Sequence, residues 1–257
     1  MRHFAIALGR GSVRASNQGR ALGVLWQFLE PVLEIAVYWI IFGLVLDVSR
    51  GVENFVAFLT VGRICYGFMQ RSLLGAAGSM TAQIPMLRSL AFPRIVVPIA
   101  QIIRSLILLR SELLVLGLAV LVMGVRPRLS WLLLPLVMVV AALLNAGLGA
   151  ALARFVFRLP DLERLITHLL RLNLYAAGVI FPLNAFINSA AVQRLATLNP
   201  YFDIVEMARW SMLGTRPDHP ALVIGIGLSS TVVVLVAGFA IFVSGEHEFA
   251  SSRSRIT

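Results

Sequence analysis

Residues 131–153 read WLLLPLVMVVAALLNAGLGAALA, and residues 221–245 read ALVIGIGLSSTVVVLVAGFAIFVSG. Neither stretch contains a charged side chain. Each is longer than the roughly 20 apolar residues with which a helix crosses a hydrocarbon layer about 30 Å thick. The chain is therefore predicted to be an integral membrane protein with an all-α fold.

The overall composition excludes several classes of function. Hydrophobic residues make up 59% of the chain and charged residues 13%, whereas charged residues supply about a quarter of a soluble domain. The net charge of +10 comes from Arg residues that are scattered between apolar segments, which argues against nucleic-acid binding. Cys65 is alone and the four His residues are far apart, so neither a disulfide nor a metal site is expected.

The basic residues also bear on the energy supply. All 22 of them are Arg, and the sequence contains no Lys. A phosphate-binding loop of the GxxxxGK[ST] type needs its Lys on the terminal phosphates of ATP. We therefore expect no standard ATP-hydrolysing site in this chain, and any ATP-driven step must come from another polypeptide. Catalytic residues and a cofactor are likewise not expected here.

The lengths of the apolar runs predict six membrane spans. They lie near residues 32–48, 54–78, 99–123, 131–153, 169–187 and 221–243. With the amino terminus in the cytoplasm, the inner segments carry twelve Arg residues and the outer segments six. This distribution obeys the positive-inside rule and predicts that both termini are cytoplasmic.

The segment before the first span, residues 1–30, has two readings. Phe4 and Leu8 recur at helical spacing, as do Arg10 and Arg14, which is typical of an amphipathic helix on the inner membrane surface. A flexible basic arm held by anionic lipid is the alternative. The first apolar run starts too late for a secretory signal, so we expect this segment to be retained.

Two further stretches stand out between the spans. Pro85 and Pro93 bracket a short segment, and proline favours a first helical turn, so a short cytoplasmic helix is predicted over residues 85–90. A generic interfacial turn is the alternative. Between spans five and six, Asn199 can cap a helix with Pro200 at its first position, and Gly214 can end it. That helix is too polar to span and is expected to lie at the outer interface or to re-enter the membrane partway.

Three groups of residues, taken in order, resemble one family. They are residues 19–26 (GRALGVLW) with Pro31, then Phe92-Pro93-Arg94 with Pro98, and finally Leu198-Asn199-Pro200 with Arg209-Trp210 and Leu213-Gly214. This pattern is similar to the ABC-2-type, Wzm-like permease subunits of exporters for lipid-linked polysaccharides such as O-antigen, capsule, teichoic acid and galactan. The resemblance covers nearly the whole chain.

The resemblance implies an architecture and a set of partners. It implies one transmembrane domain over residues 1–257, with an amino-terminal gate helix within residues 1–30, a six-span bundle over 32–243 and a cytoplasmic tail over 244–257. It further implies re-entrant helices between spans five and six, and a homodimer that pairs with two ATPase chains carrying ATP and Mg. The substrate would be a polyprenyl-pyrophosphate-linked glycan in the bacterial cytoplasmic membrane. The coupling helix that docks in the ATPase would comprise Pro85, Met86, Leu87, Arg88, Ser89, Leu90, Phe92, Pro93 and Arg94.

Charged and aromatic side chains within the spans are the candidates for substrate contact. A buried charge in hydrocarbon is costly unless it meets water, protein or a ligand, and the guanidinium fork suits phosphate oxygens. The candidate cations are Arg63, Arg71, Arg104 and Arg110. The aromatic candidates for stacking on sugar rings are Trp26, Tyr38, Trp39, Phe42, Tyr66, Phe68, Tyr175 and Phe181. The alternatives are that the Arg residues pair with Glu34 or Glu112 or reach the interface, and that the aromatics serve packing.

Three other functions compete with export of a glycan. Another ABC-2 permease could export a drug or a lipid, and the identity of the partner ATPase and neighbouring genes would distinguish it. A membrane-embedded lipid-processing enzyme needs a compact set of acids, His or metal ligands, which the sequence lacks. A secondary transporter more often shows an internal repeat, and none is visible.

Overall fold

The computed structural model describes residues 6, 9, 11, 25–41, 54–84, 92–182 and 195–245, and within them the secondary structure is helical. The helices are α1 (Trp26–Tyr38), α2 (Phe55–Ala77), α3 (Ser79–Ala82), α4 (Val96–Val122), α5 (Leu134–Arg158), α6 (Leu162–Ala176), α7 (Pro200–Leu213) and α8 (Pro220–Ser244). A 3-10 helix, Leu129–Leu133, precedes α5. Phe42, the predicted coupling helix at 85–90, most of the predicted gate segment and residues 246–257 lie outside the described residues.

Three helical segments of this described part are long and apolar enough to cross a membrane. They are Val96–Val122, Leu129–Arg158 and Pro220–Ser244, and they coincide with the third, fourth and sixth predicted spans. Helix α2 covers the second predicted span in 23 residues and carries Arg63 and Arg71 within it. The all-helical membrane class is confirmed for these segments.

The predicted helix over residues 169–187 is wrong in its bounds. Helix α6 begins at Leu162, is 15 residues long and ends at Ala176. Its end is set by Gly178, whose φ of 63° is left-handed and favours glycine. Charged residues in the first half of α6 interrupt the apolar run, so the length of that run does not locate the start of the helix.

Helix α2 forms the centre of the bundle. Its buried residues pack against α4 on one side and α5 on the other, and Val61, Cys65 and Met69 are fully enclosed. Helix α8 covers the far side of α5. There, Gly147 and Gly238 bring the two backbones into contact, because a Cβ on Gly238 would lie 2.0 Å from the Gly147 carbonyl oxygen. The two glycines therefore permit the close approach of α5 and α8.

Helix α7 has the bounds that its sequence signals indicate. The Asn199 side chain accepts a hydrogen bond from the Tyr201 amide at 3.1 Å, Pro200 opens the helix, and Gly214 ends it with a φ of 76°. At the other end, Trp131 donates to the Met212 carbonyl at 2.8 Å and Ser130 to the Ser211 carbonyl at 2.7 Å. Because α7 packs against α2, α5 and α8, it is part of the bundle and not a helix lying on its surface.

Candidate transport site

Arg63 joins α2 to α1. Its Nε atom forms an ion pair with Glu34 at 2.8 Å and donates a hydrogen bond to the Tyr38 hydroxyl at 3.2 Å. Both side chains of the ion pair are about one-quarter exposed, with 24% for Arg63 and 23% for Glu34. The Nη1 atom of Arg63 is buried and has no acceptor among the described residues. This guanidinium is thus only partly satisfied.

Arg71 joins α2 to α4 in the same manner. Its Nη2 atom forms an ion pair with Glu112, whose side chain is 13% exposed while that of Arg71 is 45% exposed. The predicted alternative in which the intramembrane Arg residues pair with Glu34 and Glu112 is therefore what the structure shows for Arg63 and Arg71. Each pair fixes a neighbouring helix to α2.

Arg104 and Arg110 differ from these two. The Nε atom of Arg104 is buried without an acceptor in the described part of the chain. Arg110 lies near the middle of α4 and is exposed on the surface of the chain. An exposed guanidinium at such a depth is costly in lipid, so this position favours contact with water, a second chain or a ligand.

A cavity of about 210 Å³ separates α1, α2 and α4. Its lining is rich in charge and comprises Trp26, Gln27, Glu30, Pro31, Glu34, Ile64, Arg71, Arg104, Leu108, Ser111 and Glu112. Carboxylates and guanidiniums thus face one another across a space within the helical bundle. Such a space suits a polar group that must be held at membrane depth.

The aromatic candidates fall into two groups. Trp26 and Trp39, on or next to α1, are 39% and 49% exposed, and Tyr175 on α6 is 53% exposed and stacks on Phe181 with ring centroids 6.4 Å apart. Tyr66 and Phe68 are in contrast buried in the core, at 0% and 1% exposure. That location favours packing over contact with a moving glycan.

Tyr66 belongs to a buried polar network that was not predicted. Its hydroxyl donates to the Leu170 carbonyl at 2.6 Å, and its ring lies 5.8 Å from that of Tyr201. The Tyr201 hydroxyl donates to Asn145 at 2.6 Å, and the amide of Asn145 donates to Ser72 and to the Met69 carbonyl. The network ties α2, α5, α6 and α7 together. Asn145, a lone amide in a span without charge, is the signal that could have indicated it.

Arg209 on α7 was not predicted as a site residue either, yet it is fully buried. It donates to the carbonyls of Gly178 at 2.9 Å, Val179 at 2.8 Å and Phe58 at 3.3 Å. It also pairs with Glu206 at 2.9 Å and lies over the Phe58 ring. A lone Arg that follows an acid by three residues in an apolar helix is the sequence signal for such a group.

Only one end of the predicted coupling segment is described. Phe92 and Pro93 are non-helical and precede a turn at Arg94 that leads into α4. Phe92 packs at the edge of a small core formed by α3, α4, α5 and α8. This packing anchors the end of the segment on the bundle.

The comparisons with known proteins agree on one class of relatives. No protein-family model matches the chain. The O-antigen export system permease protein RfbA of Myxococcus xanthus is 29% identical over 255 residues, which are 98% of this chain and 95% of that protein. Two proteins of the same name from Klebsiella pneumoniae are 23% and 22% identical over 246 residues, 95% of this chain and 93% of each relative.

These matches run through all the motifs on which the family resemblance was based, and that resemblance is confirmed. Over nearly its whole length, the chain is similar to the permease proteins of O-antigen export systems.

Proposed function

We propose that this chain is the permease subunit of an ABC exporter and moves a polyprenyl-pyrophosphate-linked polysaccharide from the cytoplasm outward. The observation that carries this proposal is the similarity to O-antigen export permeases over 98% of the chain. In the cavity between α1, α2 and α4, Arg71 and Arg104 are the cationic partners that a pyrophosphate needs, and they lie beside the carboxylates of Glu30, Glu34 and Glu112.

The proposed architecture is a single transmembrane domain with six spans. Helices α4, α5 and α8 supply three, and α2 supplies another, since 23 helical residues extend about 34 Å. The remaining two proposed spans are the first and the fifth, to which the described helices α1 and α6 belong in part. Helix α7 then re-enters from the outer side, which its packing within the bundle supports. Both termini are cytoplasmic in this arrangement.

The working unit is proposed to be a homodimer with two ATPase chains that bind ATP and Mg. A pore at a two-fold interface can be wider than one enclosed by six helices, and closed symmetric dimers are the commonest assembly. Helix α6 supports this, because Leu165, Leu169 and Leu172 form an apolar face that is 52%, 54% and 67% exposed. In the proposed dimer this face meets the second copy.

The proposal assigns ATP hydrolysis to a separate chain and export to this one, and both assignments can be tested. Purified alone, the chain should hydrolyse no ATP, because it lacks the Lys of a phosphate-binding loop. Deletion of its gene should abolish a surface polysaccharide and leave the polyprenyl-linked glycan inside the cell, and the ATPase that co-purifies should be encoded among glycan-synthesis genes. ATP turnover by the isolated chain, or normal surface glycan after deletion, would contradict the proposal.

A further inference from the structure

Arg63 and Arg71 converge on a glycine between them. The three residues Arg63, Gly67 and Arg71 are each four apart on α2 and so share one face of the helix. A Cβ on Gly67 would lie 2.9 Å from Nη1 of Arg63 and 3.0 Å from Nη1 of Arg71. Because Gly67 has no side chain, the ends of both guanidinium groups reach the same point beside α2, close enough for one phosphate group to bridge them.

One of the two guanidinium groups at Gly67 has an unsatisfied donor. Nη1 of Arg63 is buried and lacks an acceptor among the described residues, while no buried oxygen of the paired acids Glu34 and Glu112 lacks a partner. A ligand that supplies an acceptor would complete this group, and one that supplies a donor would not. The unsatisfied guanidinium donor thus favours an oxyanion as the ligand.

We propose that Arg63, Gly67 and Arg71 form a binding site, here called the oxyanion cradle, for the pyrophosphate of the lipid carrier; this inference rests on the proposed function. When the pyrophosphate binds, the carboxylate of Glu34 moves away from Arg63. The two cations each have one carboxylate, so an added pyrophosphate would give the site an excess of negative charge unless one acid withdraws. Glu34 is the acid that can withdraw. It is on α1, which buries only Pro31 and Ile35, whereas Glu112 is on α4, which has buried residues along its whole length.

The proposal predicts a difference between two glycines of one helix. Gly67→Ala places a methyl group in the cradle, and because both contacted atoms are ends of flexible side chains, the guanidiniums can move apart without unfolding the chain. Gly75→Ala is the matched control, since its Cβ would meet Gln101 at 3.8 Å, an ordinary contact. Both changes remove a glycine from α2 and keep every charge.

The experiment measures binding to the purified complex of the chain with its ATPase, by titration calorimetry. The probes are farnesyl pyrophosphate, inorganic pyrophosphate and farnesol. Gly67→Ala should weaken the affinity for farnesyl pyrophosphate about tenfold, because two charge-assisted contacts lose their geometry, whereas Gly75→Ala should match the parent. Glu34→Gln should bind more tightly, since the competing carboxylate is gone.

Any of the following results would contradict the proposed cradle. Equal affinities for Gly67→Ala and Gly75→Ala would do so, as would a parent complex that does not bind farnesyl pyrophosphate or binds farnesol equally well. Tighter binding of inorganic pyrophosphate than of the farnesyl ester would assign the site to a free anion and not to the lipid carrier. Normal surface glycan in a Gly67→Ala strain, together with unchanged binding, would reject the cradle and leave the exporter function standing.

Discussion

At the scale of single residues, the feature that the fold most depends on is the buried guanidinium of Arg209. The chain turns after α6 at Gly178, and the carbonyls of Gly178 and Val179 lie beyond the helix, where a buried carbonyl needs another partner. Arg209 reaches these carbonyls from α7 and binds the Phe58 carbonyl of α2 as well. Its charge is compensated by Glu206. One side chain thus joins three parts of the bundle that are far apart in sequence.

Arg209→Leu should therefore destabilise the chain strongly. The change leaves Glu206 and the carbonyls of Gly178 and Val179 unpaired, and removal of one partner of a buried pair costs about 3 to 5 kcal/mol in soluble proteins. The measurement is the midpoint of thermal unfolding in detergent. Arg216→Leu is the control, because Arg216 is exposed, and its midpoint should remain near that of the parent. Equal midpoints for the two variants would contradict the role of Arg209.

Asp203 should make the stability of the folded chain depend on pH. It is buried on α7, neither carboxylate oxygen has a hydrogen-bond partner in the described residues, and burial, with Glu206 nearby, raises its pKa to about 8. Because the folded-state pKa exceeds the unfolded value near 3.9, ionisation costs stability as pH rises through this window. Asp203→Asn should match the parent near pH 4 and unfold at a higher temperature than the parent at pH 9. A stability difference that does not grow with pH would contradict this account.

These residues differ in how far the sequence could indicate them. The pairing of Arg63 with Glu34 and of Arg71 with Glu112 follows from the cost of charge in an apolar segment, and it was among the predicted alternatives. The contacts of Arg209 depend on a turn some thirty residues earlier in the chain, and no local pattern gives that distance. The burial of Tyr66 and Phe68 agrees with the stated alternative that the aromatics serve packing. The sequence did not decide which aromatics pack, because an aromatic side chain suits both a core and a conduit.

At the scale of elements, local signals decided which helices were predicted well. Helix α7 has a capping Asn, a proline at its first position and a terminal glycine, and its bounds agree with all three. Helices α4, α5 and α8 are apolar enough for run length to locate them. Helix α6 failed because its polar face interrupts the apolar run, and its end is set by a left-handed glycine that the run length does not register.

The contact between α5 and α8 leaves no room for a side chain at Gly238. A Cβ on Gly238 would lie 2.0 Å from the carbonyl oxygen and 2.8 Å from the Cα of Gly147, so Gly238→Ala should force these helices apart and lower the yield of folded protein. Gly225→Ala, on the same helix, meets nothing within 4 Å and should be neutral or slightly stabilising. Comparable yields for the two variants would contradict the close packing at Gly147.

At the scale of the whole molecule, the packing leaves α1 and α6 at the periphery. Helix α6 buries only Ile166 and Leu170 along its length, and α1 only Pro31 and Ile35. The charged cavity lies behind α1, so a movement of α1 would open it. In the proposed dimer, α6 meets the second copy and α1 is free to line the path, while α2, α5, α7 and α8 form the fixed part.

The orientation of the molecule is tested by crosslinking to the ATPase. Residues 85–90 are proposed to dock in that subunit, so a cysteine at Arg88 should crosslink to it, whereas a cysteine at Arg126, in the connection between α4 and α5, should not. The native Cys65 is buried and does not interfere. Crosslinking from Arg126 and not from Arg88 would invert the proposed topology.

Transport in a defined system examines the whole proposal at once. The chain is reconstituted with its ATPase in vesicles with the ATPase facing the bath, together with a polyprenyl-pyrophosphate-linked glycan and an external glycosidase. We predict that ATP makes the glycan resistant to the glycosidase, and that vesicles lacking either subunit leave it sensitive. A glycan that stays fully digestible while the complex hydrolyses ATP would contradict the assignment of this chain as a polysaccharide permease.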